Sequence, residues 1–216
     1  MPIPAPTPRA LPLPALSFTL ALVALAGYVD AVSYLRFAGL FVSFMSGNTT
    51  ALGVAVAHEN SAKTGELIGV VALFVAGVVG GSLLHRRAGR WGNTLILLLI
   101  AALLLLAHFL PPAAIASLVL AMGALNASVH QVGSVKVSLT FVTGTLVRFG
   151  TGLADWLSGA APAQNWLWPV ALWLAFGAGA LGGGAAWLHW LPGTLPLAAT
   201  LSLTLAALAR RVGGVR

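Results

Sequence analysis

Two long runs of this sequence, residues 91–135 and 156–209, contain no Asp, Glu, Lys or Arg. Each can hold two helical spans of about 20 residues, and neither alternates apolar and polar positions as a barrel strand must. With 59% hydrophobic and 7% charged residues in the whole chain, a water-soluble fold would expose far too much apolar surface. The sequence therefore reads as an all-α integral membrane protein surrounded by the lipid bilayer.

The chain also contains itself twice. Gly27-Tyr28-Val29-Asp30-Ala31 recurs as Gly123-Ala124-Leu125-Asn126-Ala127, and Phe44-Met45-Ser46-Gly47-Asn48 recurs as Phe141-Val142-Thr143-Gly144-Thr145. A third echo pairs Phe74, Ala76, Gly77, Gly80 and Gly81 with Phe176, Ala178, Gly179, Gly182 and Gly183, and the offsets are 96, 97 and 102 residues. Duplication and divergence explain such an order, giving a first membrane repeat over 15–110 and a second over 111–216. Residues 1–14, crowded with proline, read as a flexible tail. Arg9 and the apolar run Ala15 to Leu25 imitate a signal peptide, but the matching run before Gly123 is internal, so the first segment is expected to be permanent.

Eight apolar segments can be marked, four in each repeat: Ala15–Leu35, Phe37–Ala57, Glu66–Leu84, Asn93–Leu110, Ala113–Gln131, Val135–Trp156, Trp166–Leu188 and Leu195–Ala209. Eight full crossings with His85-Arg86-Arg87-Ala88-Gly89-Arg90 in the cytoplasm would leave Arg9, Arg210, Arg211 and Arg216 outside, against the positive-inside tendency. About six net crossings, with the second and sixth segments broken or re-entrant, put both termini in the cytoplasm. Those two segments hold Ser46-Gly47-Asn48-Thr49-Thr50 and Thr143-Gly144-Thr145, where glycine and polar groups can satisfy a broken backbone. Three net crossings per half is an odd number, so the second repeat is expected to be inverted relative to the first.

Chemistry in such a chain concentrates on a few side chains. Asp30 lies inside the first segment and Arg148 inside the sixth, where a charge needs a partner or water. A pair between them across the halves would neutralise both; Arg36 is a rival partner, and a hydrogen bond from Ser33 or Tyr34 is the structural alternative. Gly27, Asp30 and Tyr34 share a helical face. The candidate permeant site comprises Asp30, Ser46, Gly47, Asn48, Thr49, Asn126, Thr143, Gly144, Thr145 and Arg148. The same hydroxyls and glycines serve equally as helix-to-helix glue, and Gly77 to Gly81 and Gly179 to Gly183 favour close packing. Trp166, Trp168, Trp187 and Trp190 read as interfacial anchors.

Other classes are disfavoured. The absence of cysteine excludes disulfides and thiolate chemistry. His58, His85, His108, His130 and His189 have no metal-ligand spacing, and no Walker loop or nucleophile elbow is present, so no cofactor and no enzyme activity are expected. The net charge of +7 lies in connections and chain ends without a basic face, which argues against nucleic acid.

Phe41-Val42-Ser43-Phe44-Met45-Ser46-Gly47-Asn48-Thr49, the Gly-Tyr-Val-Asp-Ala string, and Thr140-Phe141-Val142-Thr143-Gly144-Thr145-Leu146 together resemble the YoaK-like family of uncharacterised bacterial multi-pass membrane proteins. The resemblance covers nearly the whole chain beyond the tail and implies an inner-membrane protein with about six spans. Ser46 departs from a more threonine-like family position and keeps the hydroxyl.

Duplication with polar breaks at matching depths leads to a small secondary transporter or channel-like permease for an unidentified small solute or ion, with its site between the repeats. The alternative is a non-transporting membrane scaffold or assembly factor. A bundle this small can bury glycine faces against copies of itself, so a homo-oligomer stays open.

Overall fold

A computed structural model describes residues 13–129, 142–160, 162 and 164–212. Among these the chain forms eight α-helices and no strand: α1 (Leu13–Arg36), α2 (Met45–Ala57), α3 (Ser61–Ala88), α4 (Gly92–Phe109), α5 (Ala114–Val129), α6 (Val142–Leu157), α7 (Gln164–His189) and α8 (Thr194–Val212). The result is a polytopic helical bundle. Residues 1–12 of the proline-rich tail lie outside the described residues, and its last two, Leu13 and Pro14, already belong to α1, where a first-turn proline is tolerated.

Pro14–Arg36, Ser61–Phe109, Trp166–His189 and Leu191–Arg210 are apolar stretches long enough to cross a bilayer, and Ser61–Phe109 folds into both α3 and α4 through a 3-10 turn at Gly89–Trp91. The 13 residues of α2 span only about 20 Å and the 16 of α5 and of α6 about 24 Å, short of the roughly 30 Å hydrocarbon core; α5 is preceded by the 3-10 turn Pro111–Ala113 in an apolar stretch that reaches Ala127. α2 and α6 end in the same way. Glu59 and Gly159 take left-handed backbone angles (φ 55° and 73°), and the next N–H reaches back to Ala55 O and Asp155 O at 3.0 and 2.8 Å, the Schellman arrangement. Asn60 then caps α3 by accepting from the Lys63 N–H at 3.0 Å.

The repeat in sequence becomes a repeat in contacts. α1 packs along α7, and its counterpart α5 packs along α3, so the largest interfaces run between the halves. α4 and α8 face each other, joined by Ser202 Oγ donating to Leu97 O at 2.8 Å. The core follows these seams, with Leu22, Leu25, Ile96, Leu104, Leu118 and Met122 fully buried.

Glycine makes the seams close. A Cβ at Gly27 would overlap Phe176 O, and one at the matching Gly123 would overlap the matching Phe74 O. Gly179 lies against Ala24 O and Gly77 against Leu120 O; Gly183 lies against Tyr28 and Gly81 against Ala124. The packing role read from the glycine spacing holds in both halves. Gly80 and Gly184, by contrast, have open space where a Cβ would stand.

These contacts set a matched test. Gly27→Ala and Gly123→Ala should each destabilise the detergent-solubilised protein by about 1–3 kcal/mol, while Gly80→Ala and Gly184→Ala should stay within about 0.5 kcal/mol. Reversible unfolding followed by circular dichroism measures the difference.

Candidate functional site

α1 stops by a left-handed turn that leads straight back into the protein. Phe37 N–H bonds Ser33 O and Gly39 N–H bonds Tyr34 O, both at 2.9 Å, with Ala38 and Gly39 at positive φ (49° and 91°). The chain then runs without helix to Phe44 before α2 begins at Met45. In hydrocarbon such a segment must find internal partners for its N–H and C=O groups.

Three side chains supply them. Asp30, 3% exposed, accepts from the Val42 and Ser43 N–H groups at 2.9 and 2.8 Å through Oδ1, and from the Ser43 hydroxyl through Oδ2. Asn48, also buried, accepts from the Phe41 N–H at 3.2 Å and donates to Phe41 O at 2.6 Å. Ser33 donates to Leu40 O at 3.2 Å. The latch is therefore polar side chain to backbone, from α1 on one side and α2 on the other.

Where the sequence expects the break at Ser46 to Thr50, the structure puts those residues inside α2. The helix is interrupted one turn earlier, over Phe37–Phe44. Thr49 and Thr50 hydroxyls turn back to Met45 O and Ser46 O at 2.8 and 3.1 Å, the usual helical satisfaction of such groups. Gly47 makes room for aromatic rings, since a Cβ there would stand 2.6 Å from the Phe44 ring. Phe41 packs edge-on against Phe44 at 5.3 Å and tilts against Tyr34 at 5.1 Å. In the second half Thr143, Gly144 and Thr145 likewise form the first turn of α6, Thr145 donating to Val142 O at 2.6 Å. Residues 130–141, which hold Thr140, Phe141 and the position matching the first half's break, lie outside the described residues.

Asp30 and Arg148 do not pair. Asp30 is occupied by Val42 and Ser43, Arg148 is exposed on α6, and among the described residues the only ion pair is Lys63–Glu66 at 2.9 Å. Asn126, the counterpart of Asp30, is buried and donates to Met122 O at 2.9 Å among its contacts.

Beside the latch lies a cavity of about 580 Å³. Asp30, Tyr34 and Gly27 face it from α1, as their shared helical face implies, together with Ser43 and the Phe41 and Phe44 rings. Across the seam, Val142 and Thr143 close it from the start of α6, and Phe176 and Ala180 from the middle of α7. Of the ten sequence candidates, the structure brings Asp30 and Thr143 to this space; Ser46, Gly47, Asn48, Thr49, Asn126, Gly144, Thr145 and Arg148 are not among its walls. Ser43 was missed, although it stands in the motif between Phe41 and Ser46; the aromatic wall carried no polar signal. No group of three or more His, Cys, Asp or Glu side chains suited to a metal occurs among the described residues.

The latch makes a prediction. Asn48→Ala strands a buried N–H and C=O and should cost about 1–3 kcal/mol, and Asp30→Ala, which strands two N–H groups and a hydroxyl, about 2–4 kcal/mol. Amide hydrogen exchange should quicken at Phe41, Val42 and Ser43 in both, with α4 and α8 unchanged.

Comparison with known proteins gives a family without an assigned activity. Residues 18–208 match the family described as "Protein of unknown function (DUF1275)". A UPF0700 transmembrane protein from Rhizobium meliloti (strain 1021) is 39% identical over 171 residues, covering 77% of this chain and 75% of the relative. No solved structure matches.

Proposed function

The chain belongs to the DUF1275 family, and on that premise and the geometry above we propose that it is a small secondary transporter or channel-like permease with its site between the two repeats. The carrying observation is the cavity of about 580 Å³ that neither half encloses alone, since its walls come from α1 and the latched segment on one side and from α6 and α7 on the other. That volume is within the range of small-ligand sites.

The helix ends support an inverted arrangement. Arg36 ends α1 beside His108 at the end of α4, and α5 begins just beyond α4, so α1 and α5 run in opposite directions. At the other end of α4, Trp91 meets Arg90 and Arg210. With Arg86, Arg87, Arg90 and Arg210 on the cytoplasmic side, α1, α3, α4, α5, α7 and α8 make six crossings of a bacterial inner membrane. Both termini are then cytoplasmic, and α2 enters and leaves on one side.

The wall chemistry narrows the cargo. Aromatic and alkyl groups cannot replace the hydration shell of a bare ion, whereas Asp30, Ser43, Tyr34 and Thr143 offer hydrogen bonds around an apolar space. A small organic solute with an apolar body and one or two polar groups fits best. The scaffold reading draws on a specific fact: Asp30 and Asn48 spend their hydrogen bonds on the chain's own backbone.

Flux in liposomes separates the two. Thr143→Trp places a ring at an exposed cavity wall of α6 and should lower flux of the transported solute about tenfold or more while leaving thermal stability within about 0.5 kcal/mol. Full flux in this variant would remove the proposed site. An absence of flux across a broad screen of small metabolites, with the Thr143→Cys variant unreactive to aqueous thiol reagents, would favour the scaffold.

A further inference from the structure

A second cavity, of about 250 Å³, lies at the opposite end of α4 from Trp91. Four helix ends build it: Arg36 closes α1, His108 stands in the last turn of α4, Trp187 in the last turn of α7, and Leu191 and Thr194 lead into α8. Thr194 is fixed from both sides, its carbonyl accepting from the Tyr28 hydroxyl at 3.0 Å and its hydroxyl donating to Leu191 O at 3.1 Å.

No carboxylate among the described residues pairs with the cationic side chain in this cavity. The whole sequence has four acidic residues, Asp30, Glu59, Glu66 and Asp155, all of them described. Asp30 holds Val42 and Ser43, Glu66 pairs with Lys63, and no carboxylate forms an ion pair with Arg36 among the described residues. Carbonyl ends of α1, α4 and α7 favour cations nearby, which accounts for Arg36 and His108 being cationic or polar. It does not account for the space between them.

The repeat supplies the missing comparison. The 3-10 turn Leu191–Gly193 matches Gly89–Trp91 at the same offset of 102 as the third echo. At that offset His85 matches Trp187, Trp91 matches Gly193, and His108 matches Arg210. On the Trp91 side the guanidinium of Arg210 lies 3.6 Å from the Trp91 ring centroid, so the chain covers its own cation. On the Arg36 side glycine replaces that indole. The Trp190 ring rests on Gly193 instead and is not a wall of the cavity; Arg36 lies over the Phe37 ring at 5.4 Å, a looser contact than that of Arg210, and still lines the cavity.

We infer that this cavity binds a phosphate oxyanion at the level of the lipid headgroups. The planar guanidinium of Arg36 matches two phosphate oxygens, a His108 ring N–H donates to a third, and Trp187 and Leu191 bound the apolar side. Helix ends lie where phosphate is the abundant anion, so the source is either the headgroup of an anionic phospholipid or free phosphate. The site is separate from the larger cavity and does not depend on transport.

Native mass spectrometry of the full-length protein in a neutral detergent, titrated with phosphatidylglycerol and separately with inorganic phosphate, tests this. One phosphatidylglycerol per chain should be retained by the wild type, with affinity reduced about tenfold or more by Arg36→Gln and less by His108→Gln, as expected for losing a charge-assisted pair. Arg36→Lys should fall between, and Arg86→Gln, at the other face, should bind as wild type. Retention of inorganic phosphate in place of the lipid, with the same order of variants, assigns the site to the free anion. Equal lipid retention in wild type, Arg36→Gln, Arg36→Lys and His108→Gln, with no phosphate bound, overturns the inference; folding of each variant is checked by its thermal midpoint.

Discussion

Backbone touching backbone between the two halves is the constraint on which the rest of this protein depends. Lipid chains are as apolar as leucine, so burying apolar surface gives these helices little reason to associate, and the attraction must come from close van der Waals contact. Gly27 against Phe176 and Gly123 against Phe74 supply it at equivalent places, reinforced by Gly179 on Ala24 and Gly77 on Leu120. Because α1 is held by α7 and α5 by α3, neither half completes its own core. The segment that leaves α1 is thereby set against α6 and α7 of the other half, and a shared cavity follows from the pairing.

The second constraint is the demand of an irregular backbone in a membrane protein for partners within the chain. Phe37–Phe44 has no helical ladder, yet Asp30, Asn48 and Ser33 together meet the N–H groups of Phe41, Val42 and Ser43 and the carbonyls of Leu40 and Phe41. A carboxyl group suits this position because it accepts from several donors at once. Its presence within a membrane helix therefore has a structural cause before it has a functional one. Both causes operate in one place, since the same Asp30 side chain also faces the larger cavity.

Much of this was legible in the sequence because it is local. Glycines one turn apart marked the close helix seams at Gly77, Gly81, Gly179 and Gly183, and the Arg-rich connections and the glycine and polar groups inside an apolar run marked the second and sixth segments as unlike the others. The site was less legible because its bonds join residues 7 to 13 positions apart in sequence. Glycine and hydroxyl groups at Ser46 to Thr50 suggested a break there, whereas Gly47 serves the Phe44 ring and the interruption falls in an apolar stretch. Seeking a charged partner for Asp30 led to Arg148; the actual donors are backbone N–H groups and a serine, which carry no charge to find.

The two halves differ in an instructive way. Positions that set backbone approach are kept within the chain: Gly27 and Gly123, Gly77 and Gly179, Gly81 and Gly183, Phe74 and Phe176. Other matched positions have drifted apart, Asp30 becoming Asn126, Ala180 standing for Val78, Trp187 for His85 and Gly193 for Trp91. An asparagine both donates and accepts, so it cannot collect three donors as Asp30 does; the glycine at position 193 receives the Trp190 ring, where the matching Trp91 covers a cation. Packing confines the scaffold to near-symmetry because a single Cβ on either seam would collide with backbone. Positions off the backbone contacts are under no such restriction, so divergence there is free to make one end of the bundle chemically unlike the other.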